Sequence, residues 1–398
     1  MAEIEAVTAG GRPVQLRFGT AEHAGRLART RAELRARGLD ALLVFAPESH
    51  YWLTGLDTSG YVFFQVGVIT ADARATVLLT RRPDLAQARD ASLYDDIRIW
   101  LNAEGANPAI DLRAILEDLG LRGGRVGIEY ATYGLTAANG NLVRAALHGV
   151  VVLEDASDIV RSGRLVKSEA ELAYVRQAGR LADIAIEAML GATAAGNLDT
   201  ATTAAGVAAM LAAGGDMPAA GPLVNSGKRA IYGRGIGGPR RLDDDDQMMI
   251  ELGASWYRYH VCTEETVSIG RPHPRQQTLF ALAQDAMQQV LDHARPGRAL
   301  GELDDIHRRV LDRAGLAQER FAACGYALGC TFRPSWMDVP PMIYSGNPLV
   351  MMPGMVFFVH IMVPDSAAGI AAGLGRTFVI GDGAPEVLSA IPLNLHIC

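Results

Sequence analysis

The sequence is poor in cysteine, in aromatic residues and in basic charge, and it has no long apolar run. Four cysteines in 398 residues (Cys262, Cys324, Cys330 and Cys398) are too few and too scattered for a disulfide framework. Reduced thiols and a cytoplasmic location are therefore expected. No stretch approaches the roughly 18 consecutive apolar residues of a membrane-crossing helix. The N-terminal run MAEIEAVTAGGRPVQLRF lacks the basic-then-apolar order of a signal peptide, so no membrane partner is expected. A formal net charge of −7 speaks against a nucleic-acid partner, which would call for a basic stripe. Histidine is missing between His148 and His260. What remains, 49% hydrophobic and 20% charged residues, is ordinary globular composition, and the length suggests two domains.

Along the chain, 21–38 reads as an Arg-rich amphipathic helix ended by Gly38. Strand-like runs at 39–46, 75–79, 97–101, 124–130 and 149–155 alternate with helical segments at 85–94, 109–121 and 135–147. Such alternation predicts an α/β domain. The run ESHYWLTGLDTSGYVFFQVGVIT (48–70) is read as a loop followed by another apolar strand. Near residue 160 the pattern changes: Ser168 and Glu171 make a helix-capping pair before an Ala-rich helix to about Leu190. The expected domains are 1–160 and 161–398. GRGIGG (233–238) and the four aspartates at 243–246 read as a flexible loop and a solvated turn, because neither has a nucleotide- or cation-site context. A Pro-rich loop carrying Trp336 and Met337 reads as a substrate cover.

Most of the chemistry lies in Gln247–Gly270, QMMIELGASWYRYHVCTEETVSIG. Two strands are predicted, with the bend at Gly253 and Ala254. The second strand alternates, placing Trp256, Arg258, His260, Cys262 and Glu264 on one face. In plain core, unpaired polar groups would cost roughly 2–7 kcal/mol each, so the hairpin is expected to floor a binding site. A solvent-facing outer strand is the alternative. Glu251, at a buried strand end, suits acid–base work or nucleophilic attack. His260 and His360 are candidate proton carriers, or satisfied structural histidines. Cys262 beside His260 is a candidate nucleophile, or a small buried hydrophobe.

FAPESHYWLTGLD, RSGRLVKSEAELAYVRQAGRLADIAI, CGYALGCTFRPSW and MMPGMVFFVHI resemble the creatinase/aminopeptidase P group, over about residues 15–393. Within it the chain looks closest to ectoine hydrolases. The resemblance implies a creatinase-type α/β N-terminal domain followed by an α+β pita-bread catalytic domain. It also implies a homodimer whose aromatic segment 48–64, with Tyr51 and Trp52, closes the partner's active site. The five metal ligands of the group's metallopeptidases fall on Glu251, Cys262, Tyr326, His360 and, on or near, Arg376. Arginine cannot ligate and tyrosine is a poor ligand at neutral pH, so no metal and no cofactor are expected. Creatinase and ectoine hydrolase act without metal but carry a histidine upstream of the hairpin, where this chain has Gly233 or Arg234.

The expected function is metal-independent hydrolysis of a C–N bond in a small polar molecule: a cyclic amidine, lactam or guanidino compound. The alternative is a cyclase, lyase or isomerase reusing the fold. Glu251, His260, Cys262 and His360 are the expected catalytic residues. Tyr51, Trp52, Arg234, Tyr259, Glu264, Tyr326, Trp336 and Arg376 are the expected substrate contacts.

Overall fold

The structure is a computed structural model and describes residues 5–9 and 12–398. The chain forms two compact units, Met1–Arg164 and Leu165–Cys398.

In the first unit a hairpin, β1 (Glu5–Ala9) and β2 (Arg12–Leu16), precedes helix α1 (Thr20–Ala36). A six-stranded sheet follows from β3 (Ala41–Val44), β4 (Val66–Thr70), β5 (Thr76–Arg81), β6 (Asp96–Trp100), β7 (Arg125–Ile128) and β8 (Val152–Asp155), in the order β6-β5-β4-β3-β7-β8. The β3/β7, β7/β8 and β5/β6 pairs are parallel, which requires crossovers rather than tight turns. The segment read as a loop is instead helix α2 (Pro47–Thr54). Pro47 at its first turn costs no hydrogen bond, and Gly55 ends it in the left-handed region at φ 81°. The buried Glu129 carboxylate caps its start, accepting from the Phe45 and Ala46 N–H groups and the Ser49 hydroxyl at 2.6–2.9 Å. Between the strands lie α3 (Leu85–Asp90), α4 (Pro108–Asp118) and α5 (Ala137–Leu147), and α6 (Asp158–Leu165) closes the unit.

The second unit opens with α7 (Glu169–Gly191), whose Ser168–Glu171 capping box forms as the sequence predicts. After α8 (Asp199–Ala212) and β9 (Leu223–Ser226) come the central strands, β10 (Asp246–Trp256) and β11 (Tyr259–Ile269). Then follow α9 (Pro274–His293), α10 (Gly301–Arg313), β12 (Ala323–Ala327), β13 (Met342–Tyr344), β14 (Val356–Asp365) and β15 (Ile370–Val379). The sheet runs β13-β12-β14-β15-β11-β10-β9. Short strands β16 (Glu386–Val387) and β17 (His396–Ile397) join β15 and β11. On β14, Phe357, Val359 and Ile361 enter the core shared with Leu279, Leu303 and Val310 of α9 and α10. His360 and Met362 alternate to the other face, where the cleft lies.

The hairpin bends at Tyr257 and Arg258, not at Gly253 and Ala254. Both turn residues have positive φ, 47° and 70°, the geometry of a two-residue hairpin turn. Glu251 therefore stands directly opposite Glu264, and Gly253 opposite Cys262. Gly253 is needed for space: a Cβ there would meet the Trp336 ring at 2.9 Å.

Candidate active site

The sheet face away from the helices holds a cleft of about 320 Å³, mouth included. Its polar floor is Glu251, Glu264, His360 and Asn225, and its walls include Met249, Met362, Leu223 and Phe321. Cross-strand register delivers the two glutamates, and directly opposed side chains have Cβ atoms about 4.5–5.5 Å apart. Burial pushes the Glu251 carboxyl up to about 7, against the Tyr326 hydrogen bond and the nearby Arg234 charge. Glu264 is pushed well above the usual carboxylate range by burial, then by the charges of Glu251 and Glu265. Its Oε2 is buried without a hydrogen-bond partner, 3.7 Å from His360 Nδ1. Two such carboxyls do not both ionise easily at neutral pH.

His360 is held flat against Phe358, with centroids 5.5 Å apart and planes 11° apart. Burial lowers its pKa to about 4, so it is a neutral imidazole at pH 7. Tyr326 donates its hydroxyl proton to Glu251 Oε1 (3.2 Å), and Trp336 Nε1–H donates to the Tyr326 oxygen (2.9 Å). The Cys262 thiol is buried beside this group, and burial pushes its pKa up. That environment favours a protonated thiol over a thiolate. Arg234 is exposed, and its charge reaches both Glu251 and His360.

Other expected site residues stand elsewhere. His260 is buried, with Nε2 accepting from the Ala219 N–H (2.9 Å). Its Nδ1 faces the Arg258 carbonyl and the Thr331 hydroxyl (2.8 and 2.9 Å). Burial lowers its pKa to about 3, and the ring fastens backbone rather than lining the cleft. Tyr259 faces the opposite side of the sheet and donates to Glu171 of α7 (2.7 Å). Arg376 also faces away, in a buried ion pair with Glu265 (2.6 Å). The residue of β15 that faces His360 is Gly375. Tyr51 and Trp52 are each only 1% exposed and belong to α2 of the first unit. There the Arg26 guanidinium lies 5.1 Å from the Trp52 ring.

Sequence reasoning missed Asn225. Its Nδ2 donates to the Tyr232 and Arg234 carbonyls (3.1 and 3.3 Å), which leaves Oδ1 buried without a partner. It lies on a strand of only four residues, Leu223–Ser226, too short for a periodic pattern to mark it in the sequence.

The donor set does not fit a dinuclear metal centre. Glu251, Glu264 and His360 are possible ligands, but burial pushes the pKa of both the Cys262 thiol and the Tyr326 phenol up. Gly375 offers no donor, and a Cβ there would meet the Phe358 ring at 2.4 Å. Among the described residues, the three-donor cluster close enough to share an ion is Asp304, His307 and Cys324. There Asp304 is already engaged by His307, Arg308 and the Ser345 N–H at 2.8–3.0 Å.

The comparisons with known proteins agree with this architecture. The model of metallopeptidase family M24 matches residues 173–382, and that of the creatinase/prolidase N-terminal domain matches residues 26–166. Ectoine hydrolase of Halomonas elongata is 25% identical over 96% of this chain and 99% of its own length. An uncharacterised hydrolase/peptidase of Sinorhizobium fredii, y4tM, is 27% identical with the same coverage. Among solved structures, dipeptidase PepE from Mycobacterium ulcerans superposes with a TM-score of 0.83 at 24% identity, covering 96% of this chain and 99% of its own. A prolidase from Thermococcus sibiricus gives 0.85 at 16%, covering 96% and 100%; at these identities both show the fold alone. The chain belongs to metallopeptidase family M24, its catalytic-type domain preceded in sequence by a creatinase/prolidase N-terminal domain.

Proposed function

We propose that the protein is a metal-independent hydrolase of a C–N bond in a small polar molecule bearing a compact, N–H-rich group, such as an amidine or guanidino compound. The observation that carries this reading is the acceptor-rich floor. Glu264 Oε2 and Asn225 Oδ1 are both buried without partners at the cleft, and leaving such atoms unmet costs about 1–3 kcal/mol each. A ligand donating N–H bonds to them would recover that cost. The similarity to an ectoine hydrolase supports the same class.

In this reading one carboxyl of the Glu251–Glu264 pair takes a proton from water as its oxygen bonds to the amidine carbon. The other gives a proton to the nitrogen as the C–N bond breaks and its electron pair leaves with the amine. Passage of a proton between the opposed carboxyls resets the pair, with one water consumed. His360, kept neutral, orients the attacking water or the leaving nitrogen.

The test is a panel of cyclic amidines, guanidino acids, lactams and Xaa-Pro dipeptides, followed by mass spectrometry in H₂¹⁸O. An amidine or guanidino compound should take up one ¹⁸O, with chelator leaving the rate unchanged and Glu251→Gln lowering kcat by at least ~10²-fold. Metal-dependent cleavage of the dipeptides alone would sink the proposal. Product without ¹⁸O would favour the second reading, a cyclase or lyase, for which the apolar walls Met249, Met362 and Phe321 speak by limiting access of water.

A further inference from the structure

We infer that the ligand of this cleft is bipartite: its N–H-rich head lies over the two glutamates, and an uncharged aliphatic chain packs on the methionines beside them and ends in a hydrogen-bond donor held by Asn225. The inference rests on the reading of the cleft as an amidine or guanidino site, and it names what that group is attached to.

Strand register divides the floor into two rows. Directly opposed residues of neighbouring strands share a face. Glu251 opposes Leu223 on one side and Glu264 on the other, Glu264 opposes Gly375, and Gly375 opposes His360. That row carries the polar groups. Two residues along each strand lies a second row, in which Met249 opposes both Asn225 and Thr266, and Met362 opposes Gly373. No side chain of the second row is charged.

The second row is apolar apart from its Asn225 end. The Thr266 hydroxyl is spent on the Gly373 N–H and carbonyl (2.7 and 2.6 Å). Gly373 lets the Met249 side chain spread across the sheet, since a Cβ there would meet the Met249 methyl at 2.9 Å. Met249 and Met362 join one apolar cluster, against which Phe321 packs. This surface offers an aliphatic chain burial but no polar partner.

Asn225, 3% exposed, closes the row with an acceptor of fixed direction. Its Nδ2 donates to the Tyr232 and Arg234 carbonyls. Turning the amide over would set Oδ1 against two carbonyl oxygens, so Oδ1 stays the free atom, buried without a partner. A carbonyl or carboxylate at that end of a ligand would meet only lone pairs, whereas an N–H or O–H would be bonded. Asn225 is the diagonal neighbour of Glu251, and such positions are about 7–8 Å apart. A chain of about four carbons with its flanking bonds, each about 1.5 Å, covers that step.

The test measures dissociation constants by ligand-observed NMR on the full chain at pH 7. The first probes are acetamidinium and the methyl-, ethyl-, propyl- and butylguanidinium ions. Affinity should rise about fourfold per added methylene as each is buried. The second set is 4-guanidinobutanamide, its methyl ester and the free acid. The amide should bind about fivefold tighter than the ester, which lacks the donor, and tighter than the acid. Asn225→Leu should abolish the preference for amide over ester and keep the dependence on chain length. A series that binds without gaining from length would overturn the inference and leave the amidine reading standing. So would an acid tighter than the amide, which would give the far end to the exposed Arg234, or an amide preference that survives Asn225→Leu. Binding of neither acetamidinium nor any guanidinium would overturn both. Should Asn225→Leu not fold, the two series on the parent protein decide the matter.

Discussion

Glu251 is a destabilising residue by the same physics that suits it to chemistry. Its carboxyl ionises at about 4.5 when unfolded and about 7 when folded. Between those values the unfolded chain releases its proton first, so stability falls as pH rises from about 4.5 to 7 and the loss is complete above 7. At 1.36 kcal/mol per pH unit the loss is about 3 kcal/mol. Glu251→Gln should therefore match the parent near pH 4.5 and exceed it by up to about 3 kcal/mol at pH 8, as read by urea denaturation. Equal stability at pH 8 would show that the site solvates the carboxylate better than its burial implies. The place of this residue in the cleft was legible from the chain, because a glutamate ending the apolar run MMI has few structural uses. Its partner was not. A bend at Gly253–Ala254 would have set Glu251 opposite Trp256, whereas the register sets it opposite Glu264.

At the scale of the element, the turn misled because it lacks turn residues. Tyr257 and Arg258 occupy left-handed φ values that glycine or asparagine would adopt at about 1–2 kcal/mol less cost per residue. Long-range contacts hold them there: the Arg258 carbonyl accepts from Thr331 N–H (3.0 Å) and faces His260 Nδ1, and its guanidinium lies over Phe332. No local pattern reports such contacts. Alternation along β11 did place His260, Cys262 and Glu264 on one face, but it could not show that His260 is consumed by the Ala219 N–H. His260→Ala should cost about 2–4 kcal/mol in folding, from the lost ring and an orphaned N–H. In the parent, His260 ionises near 3 rather than 6.5. It is protonated in the unfolded chain first, so its contribution is lost as pH falls from about 6.5 towards 3. A stable His260→Ala variant without activity would instead return this residue to the catalytic set.

For the whole molecule, period and composition made the two-unit architecture legible, since strand and helix alternate visibly up to Leu165 and Ser168–Glu171 announces α7. The aromatic segment was legible only as aromatic: Tyr51 and Trp52 fill their own unit, while Val62 and Phe63 are 64% and 44% exposed. If that segment meets a second subunit, as the resemblance implies, these two exposed side chains are placed to do so, Phe63 with the Arg81 guanidinium 3.4 Å from its ring centre. Light scattering should then give about 85 kDa, twice the 42.4 kDa chain, and Phe63→Asp should lower it towards one chain; a monomeric parent would sink the proposal. Mutational paths through the molecule are likewise constrained, by the Phe358 ring over Gly375. A Cβ at 375 meets that ring at 2.4 Å and the Glu264 Cβ at 2.7 Å, so a carboxylate cannot arrive at this position until the strand beside Glu264 has moved and residue 358 has shrunk. Shrinking it first takes away the surface on which His360 is stacked. A side chain at 375 and a firmly stacked imidazole at 360 therefore exclude one another in this packing.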